Sequence, residues 1–443
     1  MTLASLHSSE FIARRQAFAK QMPNNVVAFI FASSQATRSN DTEYLFCQDK
    51  SFLYLTGFNE QDAVLAIEKV NNQVKSILFC LPKDPLQEVW HGKRIGKDNA
   101  VKQYCVDEAY DIEEIDAVAL ELICDKSVIL YRQGHNEMHD EQVMHWLADV
   151  KACARQGIKA PTSFIDCQPI IDEMRLFKSA AEIEVMKQIN HISGGAHQRA
   201  MKACADGVFE YQIEAEILHE FAMHGARFAA YNSIVAGGNN ANILHYNDNS
   251  ARLNSGDLLL IDAGGELAGY AADITRTFPV NGKFSDAQKT IYQLVLDAQN
   301  ACIAAVKPGV SLAELNDICI EVFTPKLVEL GLLSGDVNQL IEEKACKKYF
   351  IHGLGHWLGL DVHDVGDYHI ENKRQTRAFE PGMVMTIEPG LYFPADNHEI
   401  DAKWRGIGVR IEDNVLVTDQ GHENLTQNVP KSVADIEALM ASN

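Results

Sequence analysis

The first third of the chain gathers its apolar positions into short runs separated by polar stretches. NNVVAFIFASS (24–34), SFLYLTGF (51–58), AVLAIEKV (63–70) and VKSILFCLP (74–82) have the length and the β-branched and aromatic content of strands. The polar stretches between them read as helices, and this alternation predicts an α/β domain. The opening stretch, MTLASLHSSEFIARRQAF (1–18), has no apolar h-region and reads as an amphipathic helix. In QPIIDEMRLFKSAAEIEVM (168–186), Ser179 and Glu182 form a capping-box pattern that opens a long amphipathic helix. A chain of 443 residues exceeds one ordinary core. We therefore place a boundary near residue 175, dividing an N-terminal α/β domain (1–175) from a second domain (176–443).

The second domain repeats itself. DGVFEYQIEAEILHEF, from Asp206, resembles PGVSLAELNDICIEVF, from Pro308, with Gly207, Val208 and Phe221 recurring 102 residues later. LNSGDLLLIDAGG, from Leu253, lines up with FEPGMVMTIEPGL, from Phe379, so that Asp262 falls on Glu388. The next strand candidates, GYAADITRTF and GVRIEDNVLV, lay Asp273 on Glu412. Duplicated halves packed about a pseudo-twofold would bring these four carboxylates together.

A carboxylate at the end of the buried-looking run LLLID needs a cation, a donor set or water. Between Asp262 and Asp273, the glycines Gly264, Gly265 and Gly269 suit a tight hairpin. Symmetric pairing about it would set the two carboxylates opposite each other, about 5 Å apart. Like charges so placed repel unless one is protonated or a cation lies between them. Either aspartate alone reads as a loop residue; their echo at Glu388 and Glu412 turns the pattern towards metal. IHGLGHWLGLDVHDVG adds His352, His356 and His363 in a glycine-rich stretch that disfavours helix, and no H-E-x-x-H is present. NILHYNDNS adds His245, by itself a loop histidine. Two divalent cations nearly balance four carboxylates, and oxygen-rich ligands favour Mn, Co or Fe over structural zinc. Such a pair lowers the pKa of bound water and clamps a tetrahedral intermediate, the chemistry of metal-assisted hydrolysis.

Charge narrows the partners. Lys plus Arg number 39 and Asp plus Glu 61, a formal net charge of −22, which argues against nucleic-acid or anionic-membrane binding. No run approaches the roughly 18 apolar residues of a membrane span. Ten scattered cysteines without a C-x-x-C pair are expected as reduced core residues of a cytoplasmic protein.

The order Asp262, Asp273, His356, Glu388, Glu412 resembles the five-ligand dinuclear site of the methionine aminopeptidase/prolidase (pita-bread) clan. Within it, HGLGHWLGLDVHD, TIEPGLY and GIGVRIEDNVLVT resemble bacterial aminopeptidase P, and FLYLTGFNE and EVWHGKR are similar to its N-terminal domain. The resemblance implies a pita-bread catalytic domain and a metal-dependent exopeptidase. It would release the N-terminal residue from peptides with proline second, through attack by a metal-activated hydroxide. It implies metal ligation by the five residues, with Mn²⁺ as the expected ion and Co²⁺, Fe²⁺ or Zn²⁺ as substitutes. His245 and His363 would contact substrate and stabilise the transition state or shuttle its proton, and His352 would line the proline site. Arg410 would orient Glu412 or hold substrate, unless it is a structural ion pair; Tyr392 would line the site. The family also implies a homotetramer in which Trp90 walls a neighbour's proline pocket, against the plainer reading of a partly buried loop tryptophan. The alternative is an Xaa-Pro dipeptidase (prolidase) with phosphotriesterase side activity. The 24-residue spacing of Glu388 and Glu412 speaks against it, because such relatives carry a longer insertion there. A creatinase-like enzyme is disfavoured by the filled ligand positions. A binding module is disfavoured for the same reason and by the lack of basic segments.

Overall fold

The computed structural model describes residues 6–370 and 374–442. It divides into two compact units, Leu6–Arg175 and a second beginning at Leu176.

The first unit is built on a six-stranded mixed sheet. In spatial order its strands are Glu108–Asp111, Gln73–Cys80, Val64–Val70, Val26–Phe31, Val128–Tyr131 and Ser163–Asp166. The three middle strands from Gln73–Cys80 to Val26–Phe31 pair antiparallel, and the outer pairings are parallel. Val27, Phe29, Ile77, Phe79 and Ile129 of the sheet pack against Ile123, Val143, Trp146 and Val150 of the helices Ile115–Ile123 and Glu137–Ala152. The Trp146 indole N–H donates to Asp116 at 2.7 Å, so the largest core side chain leaves no polar atom unpaired. A helix runs over Ser8–Gln21 near the start; residues 1–5 of the expected helix lie outside the described residues.

One strand expectation fails. Residues 51–58 read as a strand, but Lys50–Thr56 is helical. Asp49 accepts from the Phe52 N–H at 2.8 Å and Gly57, at φ 68°, closes the other end. Two caps in seven residues outweigh the β preference of Phe-Leu-Tyr-Leu, because each satisfies backbone groups that a strand here would have to pair elsewhere. The cysteines also divide. All ten are free thiols and six are buried, but Cys47 and Cys105 are exposed, not core residues.

The second unit carries the duplication in its backbone. Helices Ala180–Ala203 and Glu210–Met223 pack as a pair, and Asp286–Ala305 and Leu312–Glu329 repeat them. Gly207 N–H donates to Leu253 O and Leu253 N–H returns to Val208 O; Gly309, Phe379 and Val310 make the same two bonds in the second half. Gly256 and Gly382 both sit at positive φ, 95° and 94°, in the turn before the strand that each half sends towards the centre. Those strands, Leu258–Asp262 and Val384–Ile387, pair antiparallel with Thr275–Pro279 and Asp413–Thr418.

The ladders correct the sequence alignment by two residues. Val280 N–H bonds Asp257 O and Val417 N–H bonds Met383 O, so Glu412 takes the place of Thr275, not of Asp273. Asp262 likewise pairs with Thr275 and not with Asp273. The predicted tight hairpin exists, but it is a smaller one inside the connection, pairing Leu267 with Tyr270 across Ala268 and Gly269, both at positive φ. A shift of two keeps every side chain on its face, which is why Asp273 still reaches Asp262.

Candidate metal centre and cleft

Asp262 ends its strand, Asp273 precedes the returning one, and Glu388 and Glu412 flank the last paired residues, Ile387 and Asp413, of the second ladder. His356 joins them from an irregular segment whose Trp357 forms a single bridge to Met385. Asp262, Asp273, His356 and Glu388 line a cavity of about 500 Å³ together with His245, His352, His363 and Arg410. Glu412 is buried beside them. Ligand atoms from Asp273, His356 and Glu412 lie within 4.8 Å of one another. His356 Nε2 is 3.3 Å from Asp273 Oδ2 and 3.6 Å from Glu388 Oε1.

These side chains are suited to cations. The His356 Nδ1–H donates to the Trp357 carbonyl at 3.0 Å, which leaves the Nε2 lone pair facing the carboxylates. Burial alone would push the Asp262 carboxyl up, but the Arg410 guanidinium and the Tyr231 hydroxyl outweigh it and hold the group below the usual range. At the other three the compensation falls short. Burial and then Asp262 push Asp273 well up; burial and then Asp273 do the same to Glu412; burial raises Glu388. Four carboxylates, Asp273 and Glu412 buried and Asp262 and Glu388 half-buried, share one guanidinium, an arrangement that divalent cations would neutralise.

The surroundings fix each donor. Arg410 Nη2 donates to Asp262 Oδ2 at 2.6 Å, Nη1 to Tyr392 Oη at 3.0 Å and Nε to Thr275 Oγ1 at 3.2 Å. Thr275 Oγ1 donates in turn to Glu412 Oε2 at 2.7 Å. Arg410 thus grips Asp262 directly and Glu412 only through Thr275. Tyr392 is buried behind the cavity wall, donating to His352 Nε2 at 2.8 Å, while His352 Nδ1–H donates to Gly353 O at 2.7 Å. Burial and then Arg410 pull the His352 pKa down to about 3, so its ring is neutral. The His363 ring lies against the His356 ring, centroids 4.2 Å apart, and burial, then His356 and His245, lower its pKa. Trp90 belongs to the first unit, on the helix Pro85–His91, and is 82% exposed, so it is not the partly buried loop residue of the plainer reading.

Three contributors escaped the sequence reading. Tyr231 donates to Asp262 Oδ1 at 2.6 Å and also bonds Asp273 Oδ1. Thr275 serves Glu412, and Thr386 accepts from the His356 N–H at 3.1 Å and donates to Glu388 Oε1 at 3.4 Å. The threonines sit within strands that read as ordinary apolar runs. Tyr231 lies in a short polar loop with no periodicity, and nothing in the sequence marks it.

Residues 184–419 match the model of metallopeptidase family M24, and residues 11–131 match that of the aminopeptidase P N-terminal domain. An Xaa-Pro aminopeptidase of Escherichia coli (strain K12) is 45% identical over 441 residues, covering 99% of both chains. Among solved structures, a zinc-substituted E. coli aminopeptidase P in complex with product is similar with a TM-score of 0.97, at 45% identity over 99% of each chain. Proline aminopeptidase P II from Yersinia pestis gives a TM-score of 0.96 at 47% identity, covering 99% of this chain and all of that one. The chain belongs to metallopeptidase family M24, in its aminopeptidase P branch, with that enzyme's N-terminal domain followed by a pita-bread metallopeptidase domain.

Proposed function

We propose that this metallopeptidase is an Xaa-Pro aminopeptidase that holds two divalent cations, manganese in the cell, on Asp262, Asp273, His356, Glu388 and Glu412. The observation that carries the reading is the convergence of those five side chains, four lining the cavity and Glu412 buried beside them, with His356 Nε2 turned to the carboxylates. Bound there, divalent cations supply a water activated near neutral pH and positive charge for a developing oxyanion.

The chain's own residues do the rest. His363 and His245 face the cleft. A neutral His363 donates its ring N–H to the carbonyl oxygen before proline as charge builds there. His245 passes a proton given up by the attacking water to the leaving imide nitrogen, which carries no hydrogen of its own. His352, locked neutral between Gly353 O and Tyr392, borders the proline ring, and Ile234, Leu244 and Val362 give that ring an apolar wall. Arg410 orients Asp262. The N-terminal domain serves assembly and access: the exposed Trp90 walls the proline pocket of a neighbouring copy in a cytoplasmic homotetramer. Sedimentation as a tetramer, with Trp90→Ala lowering kcat/KM at unchanged metal content, supports that role; a fully active monomer removes it.

The test is product analysis with Mn²⁺ on Xaa-Pro and Xaa-Pro-Yaa-Zaa peptides in parallel. Release of the first residue from the longer peptides is expected. Cleavage confined to the dipeptides would contradict the reading.

A further inference from the structure

His356 and His363 are joined by one loop, and their rings touch. Among the described residues His363 makes no hydrogen bond, so its backbone must place its ring. That backbone is pinned at several points. Asp364 N–H donates to Trp357 O at 2.9 Å, Gly359 N–H to Asp361 O at 3.1 Å, and Ala271 N–H to Gly359 O at 2.8 Å. Beneath the loop lies an ion pair, Lys178 Nζ to Asp364 Oδ2 at 3.0 Å, with each side chain only 1% exposed. The lysine is itself fixed, its N–H donating to Gly382 O at 2.9 Å. Asp364 Oδ1 accepts from the Asp361 N–H at 3.4 Å. A Cβ at Gly359 would run into Asp364 Oδ2 and Lys178 Cε, so the loop is built around the pair.

A pair this deep is a poor device for stability, since well-packed apolar residues commonly serve as well. What it supplies is a directed, charge-assisted bond with one geometry. We propose that Lys178 and Asp364 are a positioning pair that holds His363 over the metal centre. This rests on the proton-donor role given to His363 above.

The test measures kcat, KM, metal content and Tm for Asp364→Asn, for the apolar double variant Lys178→Met/Asp364→Leu, and for His363→Ala with and without Asp364→Asn. Asp364→Asn should lower kcat at least about 10-fold with metal content and KM kept. The double variant should regain the wild-type Tm but not kcat. In the His363→Ala background, Asp364→Asn should change kcat less than about twofold, because residues that act as a unit are not additive. Return of kcat together with Tm in the double variant would overturn the proposal. So would an Asp364→Asn effect that is undiminished without His363. A His363→Ala enzyme with wild-type kcat would instead overturn the reading of His363 itself, and the proposal with it.

Discussion

The two halves of the second unit share a backbone and differ in what they place on it. Each sends a strand through a positive-φ glycine towards the centre, and each has a carboxylate at that strand's end, Asp262 as its last residue and Glu388 just beyond it. Where the second half has Glu412, the first has Thr275, whose hydroxyl donates to that same Glu412. The first half recovers its second carboxylate two residues earlier, at Asp273. Only the second half carries the histidine loop. Duplication therefore explains why charged groups converge, and departures from it explain how they are divided between the proposed ligands and the groups that orient them.

Breaking one proposed ligand from each half should have the largest effect. Asp273→Asn and Glu412→Gln should each cost more than the roughly 10–100-fold typical of an outer partner, and added Mn²⁺ should not restore activity. Full activity in either variant would mean that one half suffices.

Next in size is the loop that only the second half carries. His363→Ala should lower kcat by about 10²–10⁴-fold while bound metal persists. Loss of metal in proportion to activity would make His363 a ligand or scaffold residue.

Thr275→Val probes the position where one half orients the other's proposed ligand. It should weaken metal affinity about 10–100-fold, measured by titration of chelated protein. An unchanged titration would leave the Thr275–Glu412 bond without a role in binding.

The smallest effect concerns stability. Counted back from the helix ends, His197 of the first half corresponds to Gln299 of the second. His197 Nε2–H donates to Ala263 O at 3.0 Å, and Gln299 Nε2 donates to Ile387 O at 3.3 Å. Burial pulls the His197 pKa from 6.5 to about 4. Between those values the unfolded chain binds a proton that the folded one does not. Stability therefore falls as pH drops through this window, by about 3 kcal/mol in full. His197→Gln, the second half's own solution, should flatten Tm against pH between about 6.5 and 4. Parallel curves for variant and wild type would refute this.

The sequence marked the side chains that converge better than the scaffold that brings them together. Asp262, Asp273, Glu388, Glu412 and the histidines stand out because charge beside apolar runs and glycines is costly without a purpose. The two-residue slip of the ladder was invisible, since it moves no side chain to the other face. Helix Lys50–Thr56 was misread because its Asp49 and Gly57 caps are single residues beside a β-like run. Tyr231 was missed because a lone tyrosine in a loop carries no pattern, although it touches both aspartates of the first half.

The central claim is that the two halves together hold a pair of cations that performs the hydrolysis. Metal analysis of protein purified without chelator tests it most directly, followed by chelation and titration with Mn²⁺ against Xaa-Pro peptide cleavage. The account predicts two ions per chain and activity that returns as they are restored. Full activity in the metal-free protein, or a chelated enzyme that Mn²⁺ cannot revive, would contradict it.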